Sequence, residues 1–460
     1  MRILYGFFVL LLECALSVSV QGQTAVFNVR DYNALGDGQT KDTVALQQAI
    51  DSCSGNGGGT VVVPPGTYVT GSLFLKSNVD FYLMEGAVLL GSPDKEDYNR
   101  ADVCPQNETS ANESSFGAHL ILCIEQQNVT LRGPGRIDGN RDRFLVDENG
   151  VPYPGQDKIP WRPSQMIYFV ESDNIRVQDI ELTDSTYWTS LFHGCTHVFI
   201  RGVQIKNSRF PHTHNGDGID IDCCEYVTIS DCQIDSADDC ITLRGHVAPL
   251  KTPRPCRYVT VSNCVLSTPC NCFRFGVGDG EVNNINISNI VIETSRTAFN
   301  FVSCWQEGGR GVDISNIRIS NICVDCEVLI HMYYQYATET VIRNIDIDGV
   351  SGVLRQVSDM DIARRDESCV WLNAKTPYMV LMEGKPDRFL HEIRLANINL
   401  DVFEDASFIS RYVENFMLEN VILNSVNPEK PVRYQFENVR EIWKNGRLFP
   451  DVPVKTTVDK

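Results

Sequence analysis

The stretch Tyr226-Val-Thr-Ile-Ser-Asp-Cys-Gln-Ile234 decides the fold, because the chain repeats it. It returns as Asn174-Ile-Arg-Val-Gln-Asp-Ile-Glu-Leu182, Tyr258-Val-Thr-Val-Ser-Asn-Cys-Val-Leu266 and Asn284-Ile-Asn-Ile-Ser-Asn-Ile-Val-Ile292, with fainter copies near Val198, Val312, Ile342, Ile393 and Phe416. Each copy is two short runs of alternating apolar and polar residues hinged at Asn or Asp, the pattern of paired strands. Starts at Ile175, Val198, Val227, Val259, Ile285 and Val312 lie 23, 29, 32, 26 and 27 residues apart, which is solenoid spacing. No long amphipathic helix accompanies the phrase, as leucine-rich or ankyrin units require. The expected fold is therefore all-β, a right-handed parallel β-helix.

Working outward, Val227, Ile229, Cys232 and Ile234 should face inward, with Val259, Val261, Cys264 and Leu266 on the next coil. The hinge asparagines Asn263, Asn289, Asn316, Asn344, Asn397 and Asn420 should stack and bond from coil to coil. An open end needs a cover, and Asp42 to Asp51 has helical spacing behind a capping Asp, giving a short N-terminal capping helix. Residues 1–22 read as a signal peptide, with Arg2, an apolar run and a small-residue end at Val20-Gln-Gly22. Residues 23–443 form the β-helix domain and 444–460 a C-terminal tail that loses the repeat.

Export fits the cysteines: 17 in all, and 16 once Cys14 leaves with the signal, an even number suited to disulfides. Cys323-Val-Asp-Cys326 has zinc-like spacing but no second pair, so structural sulfur is the expectation and no metal or other cofactor is implied. Sequons stand at Asn107, Asn112, Asn128 and Asn286. A net charge of −19 repels nucleic acid and anionic membrane, and neither is an expected partner.

Three carboxylates could carry chemistry: Asp217 in Asn215-Gly-Asp-Gly-Ile-Asp220, and Asp238-Asp239 in Ser236-Ala-Asp-Asp-Cys-Ile-Thr-Leu243. Separations of 21 and 22 residues are close to one coil, so all three should meet on adjacent rungs. Asp beside Gly is common in turns, but a one-coil cluster is what glycosidic cleavage needs. One carboxylic acid protonates the leaving oxygen and another carboxylate activates water or attacks the sugar. Gly216 and Gly218 should allow close backbone approach.

The chain resembles the polygalacturonase family of pectin hydrolases, glycoside hydrolase family 28, whose fold is the pectin-lyase-like solenoid. The resemblance rests on Val29 to Gly38, Val63-Pro-Pro-Gly-Thr-Tyr68, Gly71 to Ser77, Gly133 to Gly139, Arg162-Pro163, Thr186-Tyr-Trp188, Asn215-Gly-Asp217 and Asp238-Asp239. It implies a secreted, monomeric hydrolase of a pectic polysaccharide, with Asp238 as general acid and Asp217 and Asp239 positioning water for inversion. Two family motifs are altered. Asn271 stands where a His is expected, and Phe299 to Ser303 replaces the Arg-Ile-Lys that would grip a uronate. Rhamnogalacturonan, a decorated pectin or a neutral glycan are open alternatives.

Substitute contacts could come from Arg244, His246, Lys251, Arg254 and Arg257 after Asp239, and from Arg274; Arg244 and Arg274 are favoured because they lie near strand ends. Asn215, His214 and Asn271 complete the candidate substrate contacts, and His212 with His214 could bind a metal or a sugar hydroxyl, though a surface His-x-His with no carboxylate at ligand spacing is more often inert. Trp161, Trp188 and Trp305 could stack on sugars, though burial is the ordinary fate of Trp. The rival readings are a uronate lyase or epimerase on the same fold, which would release or rearrange uronates without hydrolysis, and an inactive carbohydrate-binding β-helix.

Overall fold

The computed structural model describes residues 25–107, 116–209, 211–303, 309–336, 339–356, 377–449 and the strand Thr456–Val458. The signal segment, Asn112 and Trp305 lie outside these residues. Strands stack in parallel from coil to coil. One column runs Ile175, Val198, Val227, Val259, Ile285, Ile317, Ile345, Ile393, Phe416, and every member is buried. Branched apolar side chains on successive rungs form one continuous core, which makes the chain a parallel β-helix. Val227, Ile229 and Ile234 pair with Val259, Val261 and Leu266 as expected.

The column corrects the reading at two copies. The sixth coil starts at Ile317 and not Val312, the next at Ile345 and not Ile342. Asn316 and Asn344 consequently leave the hinge. They belong to a second corner, where Asn316 Nδ2 donates to Asn284 Oδ1 at 3.2 Å and Asn344 Nδ2 to Asn316 Oδ1 at 2.8 Å. The hinge ladder itself has Asn289 donating to Asn263 (3.2 Å), Asn321 to Asn289 (2.7 Å) and Asn420 to Asn397 (3.0 Å). Both corners place Asn in the left-handed region, the conformation Asn tolerates better than most residues. Midway along the second corner the rings of His197, Tyr226 and Tyr258 replace amides, stacked with centroids 5.1 Å apart at each step.

Helix α1, Thr43–Gly55, covers the N-terminal end with Leu46, Ala49, Ile50 and Cys53 buried. Asp42 precedes it, but its carboxylate accepts from the amides of Leu35 (2.6 Å) and Gly36 (2.9 Å) and does not cap the helix through its side chain. At the other end, Arg447–Phe449 and Thr456–Val458 turn back and pair antiparallel with Arg433–Lys444, covering the last parallel edge.

The expected disulfides are absent among the described residues: 14 cysteines are free thiols, and all but Cys323 are buried. Ten of them fill the interior core as small apolar side chains. Cys323 and Cys326 lie three residues apart on the strand Asp313–Tyr334, one exposed and one buried, so they cannot share a ligand. The sequon at Asn107 is also buried, its amide donating to the carbonyls of Ala101 (3.0 Å) and Gly117 (2.8 Å). A glycan there is incompatible with this packing, whereas Asn286 is exposed.

Candidate active site

Four strand ends at one corner set the site. Asp138, Thr183, Lys206 and Asp235 are register partners in turn, so the connections that follow them leave the helix at the same edge. The connection after Lys206 carries Asp217, and the one after Asp235 carries Asp238 and Asp239. Two buried arginines fix the first of these. Arg141 Nη1 donates to Asn207 O (2.7 Å) and Thr213 Oγ1 (2.9 Å), and Arg162 Nη1 to Thr186 O (2.7 Å) and His214 O (2.8 Å).

The backbone then stacks Asp217, Asp239 and Asn271 on consecutive coils. Thr189 N donates to Asp217 O at 2.7 Å, Gly218 N to Asp239 O at 2.8 Å and Cys240 N to Asn271 O at 2.9 Å. The glycines are needed: a Cβ on Gly218 would lie 2.5 Å from Cys240 O, and one on Gly216 2.7 Å from the Ala237 Cβ. The residue directly above Asp217 is thus Asp239, while Asp238 sits beside the column with its amide on Gly216 O at 3.2 Å.

The three acids differ in surroundings. Asp239 is fully buried and accepts from Asn271 Nδ2 (2.6 Å) and Arg274 Nη1 (3.0 Å). Asp238 is half-buried, and burial followed by the charge of Asp239 pushes its carboxyl up to about 7. Asp217 is 5% exposed. Burial, then Asp220, Asp238 and Asp239, push it well above the usual carboxylate range, against Arg274. The cluster therefore holds a proton near neutral pH, because crowded like charges cannot all ionise in a dry site.

Asn271, which replaces the expected His, and Arg274 both belong to the cluster; Asn271 in turn accepts from Asn300 Nδ2 at 3.1 Å. Arg244 and His246 lie along the strand from it. Arg244 Nε donates to Asp222 at 3.1 Å, with its guanidinium 4.6 Å from the Trp188 ring centre, and His246 N donates to Asp222 at 2.7 Å. Asn215 is half-buried in the left-handed region, and the His214 ring meets His212 edge-on at 5.3 Å. Lys251 and Arg257 are paired with Glu125 and, at 2.7 Å, Glu225, away from the acids.

Sequence reasoning missed three residues. Asp220, fully buried on the outer face with the Thr242 hydroxyl donating to it, is a fourth carboxylate; its signal was the 22-residue offset to Thr242, the same as from Asp217 to Asp239. His331 and Tyr333, stacked at 4.4 Å, continue the outer row one coil past Asn300 and Val302. Burial, then Arg296 and Arg274, push His331 down to about 4, so it is neutral above mildly acidic pH. His193, Asp222 and Cys223 also converge within 4.8 Å. The cationic place beside Asp222 is taken by Arg244, and burial pushes the Cys223 thiol well up, so this group fits a hydrogen-bonded network better than a metal.

Residues 100–370 match the glycosyl hydrolases family 28 pattern. A probable polygalacturonase of Vitis vinifera is 29% identical over 46% of this chain and 43% of its own length. A mannuronan C5-epimerase of Azotobacter vinelandii is 48% identical over 27% of this chain and 13% of its own. The chain thus spans less than half the length of the curated relatives it matches. Among solved structures, the family 28 exopolygalacturonase of Yersinia enterocolitica aligns with a TM-score of 0.69 over 93% of this chain and 80% of that one, at 19% identity, a likeness of fold.

Proposed function

This chain belongs to the glycosyl hydrolases of family 28, and from that premise we propose that it hydrolyses O-glycosidic bonds of a pectic polysaccharide, by aspartate acid/base catalysis with inversion. The observation that carries the reading is the unequal environment of the acids. Asp239 is buried and bonded by Asn271 and Arg274, while Asp238, half-exposed beside it, keeps its proton to about 7. Asp238 gives that proton to the leaving glycosidic oxygen as the bond to the anomeric carbon breaks. Asp217 and Asp239 hold the water on the opposite face, and Asp239, bonded by Arg274, takes its proton as it attacks. The product hemiacetal has inverted configuration. Export as a monomer, using residues 1–22 as signal, belongs to the same proposal. Because Asn271 and Phe299 to Ser303 replace the His and Arg-Ile-Lys motifs, a branched pectin is the proposed substrate ahead of plain polygalacturonate.

Incubation with a panel of pectic and neutral glycans tests this by reducing-sugar release, with proton NMR of fresh hydrolysate for the anomer. No reducing ends from any pectin, or a first product of retained configuration, would sink it. The stretch shared with the epimerase supports a second reading, proton abstraction beside a uronate carboxylate, which would give epimerised polymer or ultraviolet-absorbing unsaturated products and no hydrolysis.

A further inference from the structure

At the same corner as the acids, a groove of about 650 Å³ opens between Lys95, Arg143, Phe144, Tyr153, Pro160 and Trp161. It is made by the connections that follow Leu90 and Asp138, register partners on adjacent coils. The second runs from Gly139 to Met166 with no strand of its own, a length that in a compact fold usually carries function. Its location is fixed relative to the acids. Arg141 and Arg162, on either side of the groove-lining residues, are the two arginines bonded to the Asp217 connection, and Arg209 of that connection pairs with Asp142 at 3.0 Å. Asp138 lies two coils before Lys206 and three before Asp235, so at about 4.8 Å per coil the groove stands ~10–15 Å toward the N-terminal end from the acids.

Its lining has a definite chemistry. Half-buried Trp161 and Tyr153 offer aromatic surface. Lys41, at the rim, is paired with Asp94 (2.6 Å) and Asp97 (2.8 Å), and Lys95 lies 3.8 Å from Glu96. Arg143 is exposed and makes no ion pair among the described residues. Asp94 and Glu96 also line the groove, so three cations face two carboxylates and the lining carries a net positive charge on a chain of net charge −19.

We propose that this groove is a distal binding site for an acidic sugar unit of a glycan chain whose continuation reaches the acid cluster, with Arg143 on the uronate carboxylate and Trp161 and Tyr153 against the ring. The inference rests on the glycan-cleaving reading for its ligand class, and binding is read separately from cleavage. It explains how a chain with an altered uronate-gripping motif can still select acidic polymer, by holding it away from the scissile bond.

The test is calorimetric titration of the full-length Asp238→Asn protein with digalacturonate, octagalacturonate and a neutral galactan octamer. Arg143→Glu, an exposed change that leaves the core alone, should weaken the acidic octamer about fivefold, leaving the acidic dimer and the neutral octamer unchanged; Trp161→Ala should weaken both octamers tenfold or more. Unchanged octamer affinity in Arg143→Glu, or an equal loss for the dimer, would overturn the proposal, as would failure of the acidic octamer to bind at all. Length-dependent binding in a protein that cleaves no pectin would sink the hydrolase reading and leave this site standing.

Discussion

At the residue scale the informative group is Asp238, half-buried with its carboxyl pushed up to about 7. As the proposed general acid it must be protonated, so kcat should fall as pH rises through about 7, read from a pH profile at saturating substrate. Asp238→Asn should lower kcat at least a hundredfold, about 2.7 kcal/mol, in a protein with an unchanged far-ultraviolet spectrum. The same shift has a stability consequence. The folded state holds this proton above the ordinary aspartate value of 3.8, so between about 4 and 7 it binds more protons than the unfolded chain, and stability declines as pH rises across that window. Denaturant midpoints should show that decline in the native protein and a shallower one in Asp238→Asn. Arg274 is the counterpart: Arg274→Gln leaves Asp239 buried without its cation and should cost about 3 kcal/mol in urea unfolding as well as activity. A loss below ~1 kcal/mol would mean that solvent already reaches Asp239.

Among the elements, the two corner ladders hold the coils in register. Asn289 donates to Asn263 and accepts from Asn321 within one of them, so Asn289→Ala should destabilise by about 1–2 kcal/mol, combining lost hydrogen bonds with a left-handed backbone that Ala resists. An unchanged thermal midpoint would show that water replaces the ladder. The repeat was legible because apolar alternation is dictated by which face each strand buries. Asn316 and Asn344 were placed at the wrong corner because Asp-Ile-Ser-Asn and Ile-Arg-Ile-Ser-Asn alternate equally well, and only pairing with Ile285 chooses between them. The acids were found from near-equal spacings of 21 and 22 residues, but which of Asp238 and Asp239 stacks on Asp217 depends on a single residue of register. The Asp222 partnership of Arg244 and the involvement of Asp220 arise between coils, where spacing gives proximity and not bonding.

For the whole molecule, both ends of the stack are closed, by α1 and by the antiparallel return strands. Removing residues 445–460 should bare the edge of Arg433–Lys444 and cause concentration-dependent self-association, measurable by light scattering. A monodisperse truncated protein would show that this edge is too short or too polar to pair. Asp138 and Thr183 stay in register, as do Ile167 and Ser190, although the connections between these strands run from Gly139 to Met166 in one coil and from Asp184 to Thr189 in the next. Natural variation can therefore lengthen or rebuild such a connection without altering the core, leaving the three acids on a fixed scaffold while descendants diverge in which polymer they recognise.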